Sequence, residues 1–250
     1  SADGEQRRQI SNLLVLESIV YIIGPLVGGL ILQFSNFNVL FVLVSILMIL
    51  SNIPMLITRE QFEPADFSYF RAYRRLFRRE NLKKMFSFIG FGEELIVLTI
   101  WPIFIYIVVK DFLSLGILTS ISILVTTIIF LYIGKVTDNG DSKGLLRFGV
   151  TLYFFSWLLR LVTRNILGIF LVDAYSRISK QSISIPMTAI TYKKAHDTSI
   201  MKTILFFEMS LVLGKIIAII LAIILLQFFT PGWNALFILA AAMSLLYLFF

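Results

Sequence analysis

The sequence has no cysteine and a single histidine, His196. The first absence excludes disulfides, thiol catalysis and thiolate metal sites. The second argues against an imidazole metal centre, which needs several ligands. Charge is also scarce, with Asp, Glu, Lys and Arg making up 15% of 250 residues. A soluble domain carries about 25%. No cluster of aspartates is present to hold a metal–phosphate group, and His196 falls between apolar runs. Both facts disfavour a membrane-embedded lipid-modifying enzyme. No metal, cofactor or catalytic residue is implied.

What is there is apolar: 58% of the chain, with 24 Phe and a mean hydropathy of +0.89. A membrane span needs about 20 apolar residues at 1.5 Å rise each. Eight runs meet or approach that length: 11–33, 38–57, 85–109, 112–134, 145–163, 166–192, 200–229 and 232–250. Between them lie short turns such as Ser35-Asn36, Lys110-Asp111 and Asn139-Gly140. Continuous runs of this kind exclude a barrel, whose strands alternate over about 10 residues. The expected class is therefore all-α, a polytopic transmembrane bundle. The chain opens without Met and stops inside an apolar run, so a piece of a longer protein is expected.

The net charge of +7 sits between the runs, which points to membrane orientation rather than nucleic acid. Arg7 and Arg8 precede the first run, and eight basic residues from Arg59 to Lys84 follow the second. Lys135, Lys143 and Arg147 mark a third basic connection, with Lys193, Lys194 and Lys202 in a fourth. The alternate connections hold Lys110 and Arg164, with Arg160 nearby. The positive-inside rule then puts both ends in the cytoplasm. The segment Phe67–Arg79, rich in Arg and aromatics, could form an amphipathic helix on anionic lipid.

Two motifs carry a resemblance. The first run contains Tyr21-Ile22-Ile23-Gly24-Pro25-Leu26-Val27-Gly28-Gly29, in which Gly24 and Gly28 form a small-xxx-small face. This resembles the Gly-Pro-x-x-Gly-Gly core of the fifth-helix, or antiporter, motif of the major facilitator superfamily. Val20 stands where that motif has a further glycine. Gly134, Asp138, Gly140 and Lys143 are similar to the family's cytoplasmic gating loop between helices eight and nine. The basic loop after the second run falls where the family has its long central loop. Leu13-Leu14-Val15-Leu16-Glu17 also looks like Ile204-Leu205-Phe206-Phe207-Glu208, as parallel repeats would require.

The resemblance implies helices five to twelve of such a transporter. Residues 1–57 would be the last two helices of the N-terminal bundle, 58–84 the central cytoplasmic loop, and 85–250 the C-terminal six-helix bundle. It also implies a monomer in the plasma membrane, or the inner membrane of a bacterium.

Seven ionisable residues fall well inside the runs: Glu93, Glu94, Asp173, Arg177, Lys180, Glu208 and Lys215. Each costs roughly 2.5–3.5 kcal/mol at a helix centre facing lipid, so they should face one another or a wet cavity. Asp173, Arg177 and Lys180 follow i, i+4, i+7 and share one helix face. Such residues near the midplane are where substrate and coupling-ion sites lie. We expect Glu93 or Glu94 to couple protons. Glu94 is favoured because a regular helix puts it on one face with Gly90 and Trp101. Asp173, Arg177, Lys180, Glu208, Lys215 and Trp101 are expected to line the cavity or to pair as ions. Gly90, Gly92, Pro102 and Pro186 should distort their helices. The expected activity is secondary transport of a small solute, as proton-coupled efflux. Organic-anion transport by the same fold is the alternative.

Overall fold

Apolar runs fold as helices because lipid offers backbone N–H and C=O groups no other partner. The computed structural model describes the backbone of residues 2–58, 68–136, 142–197, 200–229 and 232–250. Side chains are described from residue 16 onward within those ranges, except 130–136, 142–143, 189, 192–197 and 200. Every regular element among the described residues is helical. We label them α1 (Ala2–Phe34), α2 (Phe37–Ile57), α3 (Tyr69–Leu76), α4 (Leu82–Val109) and α5 (Phe112–Val136). Then follow α6 (Ser142–Val162), α7 (Ile166–Asp197), α8 (Ile200–Phe228) and α9 (Trp233–Leu245).

Among the described residues, six helices are long and apolar enough to cross a membrane: stretches within α1, α2, α4, α5, α6 and α8. The reading of eight spans is thus met in part. Helix α7 is 32 residues long but carries Asp173, Arg177 and Lys180 close together. Helix α9 with its 3₁₀ extension covers only Trp233–Phe249.

The chain forms two compact units. One comprises residues 1–67 and 109–127, the other residues 68–108 and 128–250. Segment 109–127, expected with the C-terminal bundle, belongs instead with the first unit. Glycine explains the attachment. A Cβ on Gly116 would lie 2.4 Å from the Pro25 carbonyl oxygen, and one on Gly29 would lie 2.7 Å from that of Phe112. Two glycines let α1 and α5 touch backbone to backbone. In the same unit Asn36 caps α2, its side chain accepting from the Val39 N–H at 3.1 Å. No residue of α2 is buried.

In the second unit, small residues again set the closest contacts. Gly149 of α6 lies so near Ser182 of α7 that a Cβ would come within 2.9 Å of the serine Cβ. Helix α9 packs on α6, burying Leu236, Phe237 and Ala240. Helix α4 meets α8 where a Cβ on Gly92 would lie 2.3 Å from the Gly214 carbonyl oxygen. Below that crossing, Leu76 of α3 joins Met85, Ile89, Ala218 and Met243 in an apolar cluster.

Helix α4 is irregular where the glycines and proline predict it. A 3₁₀ turn spans Gly90–Gly92, and the Glu93 N–H reaches back to the Gly90 carbonyl. A π-helical stretch follows at Ile96–Ile100, with the Trp101 N–H reaching back five residues to Ile96. Pro102, just beyond, offers no N–H of its own to the ladder.

Candidate functional site

The irregularity of α4 decides which side chains face inward. In a 3₁₀ turn residues three apart eclipse, so Gly90 aligns with Glu93 and not with Glu94. Both meet Tyr247: a Cβ on Gly90 would lie 3.2 Å from its ring, and its hydroxyl donates to Glu93. The π-helical stretch then absorbs an extra residue, so that Trp101, Phe104 and Ile105 turn inward and Ile103 stays exposed. The expected face of Gly90, Glu94 and Trp101 therefore does not form.

Glu93 is fully buried and has three partners. Lys180 of α7 donates to its Oε1 at 2.5 Å, and Tyr247 donates to the same oxygen at 3.0 Å. Tyr153 of α6 donates to Oε2 at 2.6 Å. The Lys180 ammonium also lies 4.5 Å above the Phe91 ring. Glu94, half-buried, lies 3.4 Å from Lys180 and 3.9 Å from Lys215 of α8. Two carboxylates and two ammonium groups thus share one cluster drawn from α4, α7 and α8.

A second cluster lies along α7. Asp173 accepts from Arg177 Nε at 2.8 Å, the pairing their spacing predicts, and from Trp101 Nε1 at 3.0 Å. Trp101, expected as a cavity wall, holds this carboxylate. Its other face meets Arg160, whose guanidinium carbon is 4.4 Å from the Trp101 ring centre and 3.9 Å from that of Trp157. Arg160 donates from Nη2 to the Ser176 hydroxyl at 2.9 Å.

The remaining expected residues disperse. Glu208 is exposed and lines a cavity of about 150 Å³ with Phe88, Phe91, Met187 and Phe207. Gly134 lies in the last turn of α5 and Lys143 in the first turn of α6. Asp138 and Gly140 of the same motif lie outside the described residues. In the glycine-proline motif, Gly29 and the Pro25 carbonyl make the close contact, while a Cβ on Gly24 or Gly28 would meet nothing within 4 Å. Among the described residues no group of three His, Asp or Glu side chains could hold a metal ion.

Sequence reasoning passed over Tyr153, Tyr247, Ser176 and Gly214, and counted Arg160 with a loop. The only sequence trace of the first two is a phenol where a phenyl ring would pack as well. No family model, curated protein or solved structure matches the chain.

Proposed function

We propose that the chain forms part of a secondary transporter of the major-facilitator type, moving a small solute by alternating access and coupled to protons. The observation that carries this reading is the buried Glu93–Lys180 pair beside Glu94. An ion pair held inside apolar helices costs several kcal/mol per ion in desolvation and is weak evidence for stability. Paired glutamates and lysines near the middle of such helices mark ion pathways instead. A proton arriving on Glu93 would cancel its charge and free Lys180 to bind Glu94, 3.4 Å away. Lys180 sits on α7 and both glutamates on α4, so protonation alters the contact between these helices. Solute binding biased toward one of the two arrangements would then be coupled to the proton.

In this proposal α7 and α9 also cross the bilayer, giving eight spans with both described ends in the cytoplasm of the inner membrane. The basic helix α3 lies at that surface, and its exposed Tyr69, Phe70 and Tyr73 suit anionic lipid. Everted membrane vesicles containing the protein test the reading. A pH-gradient dye is followed while amphiphilic cations and organic anions are added in turn. At least one compound should dissipate the gradient, and Glu93→Gln should abolish that response. If no compound moves protons through the wild type, the transport reading is wrong.

A further inference from the structure

The charges inside the second unit do not all pair. Glu93 and Glu94 are matched by Lys180 and Lys215, and Asp173 by Arg177. Among the described residues Glu208 and Arg160 are left over, the first exposed and the second fully buried. Among the described residues no carboxylate lies within ion-pair distance of Arg160, and its Nε and Nη1 have no hydrogen-bond partner. Two tryptophan faces offset part of the desolvation. Its position in the last turn of α6 adds a modest favourable field from the helix end. Neither contribution fills the open N–H groups. A buried charge is normally both paired and fully hydrogen-bonded; this one has no ion partner among the described residues and a single hydrogen bond, to Ser176.

We propose that Arg160, itself held between Trp101 and Trp157, anchors a binding site for a small oxyanion at its open N–H groups, with the Ser176 hydroxyl alongside. Guanidinium suits such a ligand because its N–H groups form a rigid fork that matches planar carboxylate or phosphate oxygens. The surrounding walls are aromatic: Trp101 stacks on Phe104 at 5.5 Å, and Phe237 meets the Trp101 ring edgewise. One wall, Trp101, is the first residue after the π-helical stretch of α4. The site names an anionic substrate class for the transport proposed above. It rests on that reading only for translocation, since binding is measurable without it.

Tryptophan fluorescence of the purified protein in detergent provides the test. Acetate, benzoate, phosphate and sulfate are titrated separately at constant ionic strength, with chloride as the control. At least one oxyanion should change the emission saturably, and chloride should not. A response to the carboxylates alone identifies an organic acid, and a response to phosphate or sulfate alone an inorganic anion. Arg160→Gln should abolish the saturable change. Ser176→Ala, which keeps the charge, should weaken apparent affinity by about tenfold. Arg164→Gln, at an exposed neighbour, should leave it unchanged. Saturation that survives Arg160→Gln overturns the site, as does a wild type silent to all four oxyanions. If Arg160→Gln does not fold, unaltered affinity in Ser176→Ala overturns it instead. Binding without dye response in vesicles would keep the site and sink the transport reading.

Discussion

Helix α2 is among the most apolar segments, with a mean hydropathy of 2.5, yet none of its residues is buried. The α6 span has a mean hydropathy of 1.5 and buries Tyr153, Ser156, Trp157 and Arg160. Its neighbour α7 buries Asp173, Ser176 and Ser179. A soluble protein would reverse this order, because water drives apolar surface inward. Where lipid is the solvent, apolar side chains gain little by leaving it. Polar groups and close small-residue contacts are what sort inward. The contrast between α2 and the α6–α7 pair is thus a signature of the surrounding solvent.

The sharpest way to break this comparison is to remove a charge from the polar interior. Lys180→Met leaves Glu93 buried without its cation, which should cost about 3–5 kcal/mol. Thermal denaturation in detergent should show a large drop in midpoint. Adding Glu93→Gln should restore most of it, since the two residues act as one unit. On α2, Met48→Ala should change stability by no more than about 0.5 kcal/mol. Equal losses at Lys180 and Met48 would refute the sorting.

Glycine gives the next largest effect. A Cβ on Gly214 would lie 2.4 Å from the Ile89 carbonyl oxygen, so Gly214→Ala must push α4 and α8 apart. Overpacking of this kind costs about 1–3 kcal/mol. Gly24→Ala, with nothing within 4 Å, should gain about 0.5–1 kcal/mol from the stiffer backbone. Denaturant midpoints of the two variants should therefore move in opposite directions.

These residues also show what a one-dimensional reading can see. Apolar run length placed the helix ends to within about five residues, except that α1 begins at Ala2, nine residues before its run, because a span is a property of consecutive positions. The Asp173–Arg177 pair was visible for the same reason, since i, i+4 spacing is local. Gly92 and Gly214 were not recognisable as partners, because their contact joins helices more than a hundred residues apart. The α4 register was also hidden: a regular helix predicts Glu94 beside Gly90, and only the 3₁₀ turn puts Glu93 there. Arg160 looked like a loop charge because it stands two residues from the end of α6. Proximity to a helix end in sequence does not reveal that two tryptophans close over it.

The connection between α4 and α5 falls outside both regimes, and there smaller effects should appear. Lys110 adopts a left-handed backbone with φ of 59°. A side chain in that region costs roughly 1–2 kcal/mol, and glycine adopts it freely. Lys110→Gly should therefore stabilise the protein by about 1 kcal/mol or less, offset by the greater freedom of glycine in the unfolded chain. Lys110→Ala should bring no such gain.

Asp111 supplies the smallest effect and a pH dependence of known sign. Hydrogen bonds from Ser114, first its hydroxyl and then its N–H at 2.7 Å, hold the Asp111 carboxyl below its usual range. A carboxyl whose pKa is lowered by folding contributes stability that is complete above its unfolded value, about 3.9. That contribution fades as pH falls through the lower folded value. The stability gap between wild type and Asp111→Asn should therefore be constant from neutral pH down to about pH 4 and close below it. Asparagine can still accept the N–H bond, so the gap measures the charge rather than the cap. Ser114→Ala removes the hydroxyl donor and should move the closing of the gap toward the ordinary carboxyl pKa. Denaturation midpoints measured at stepped pH on the wild type, Asp111→Asn and Ser114→Ala would separate these cases. A gap unchanged below pH 3 would mean that the Ser114 bonds do not distinguish the charged carboxylate from its protonated form.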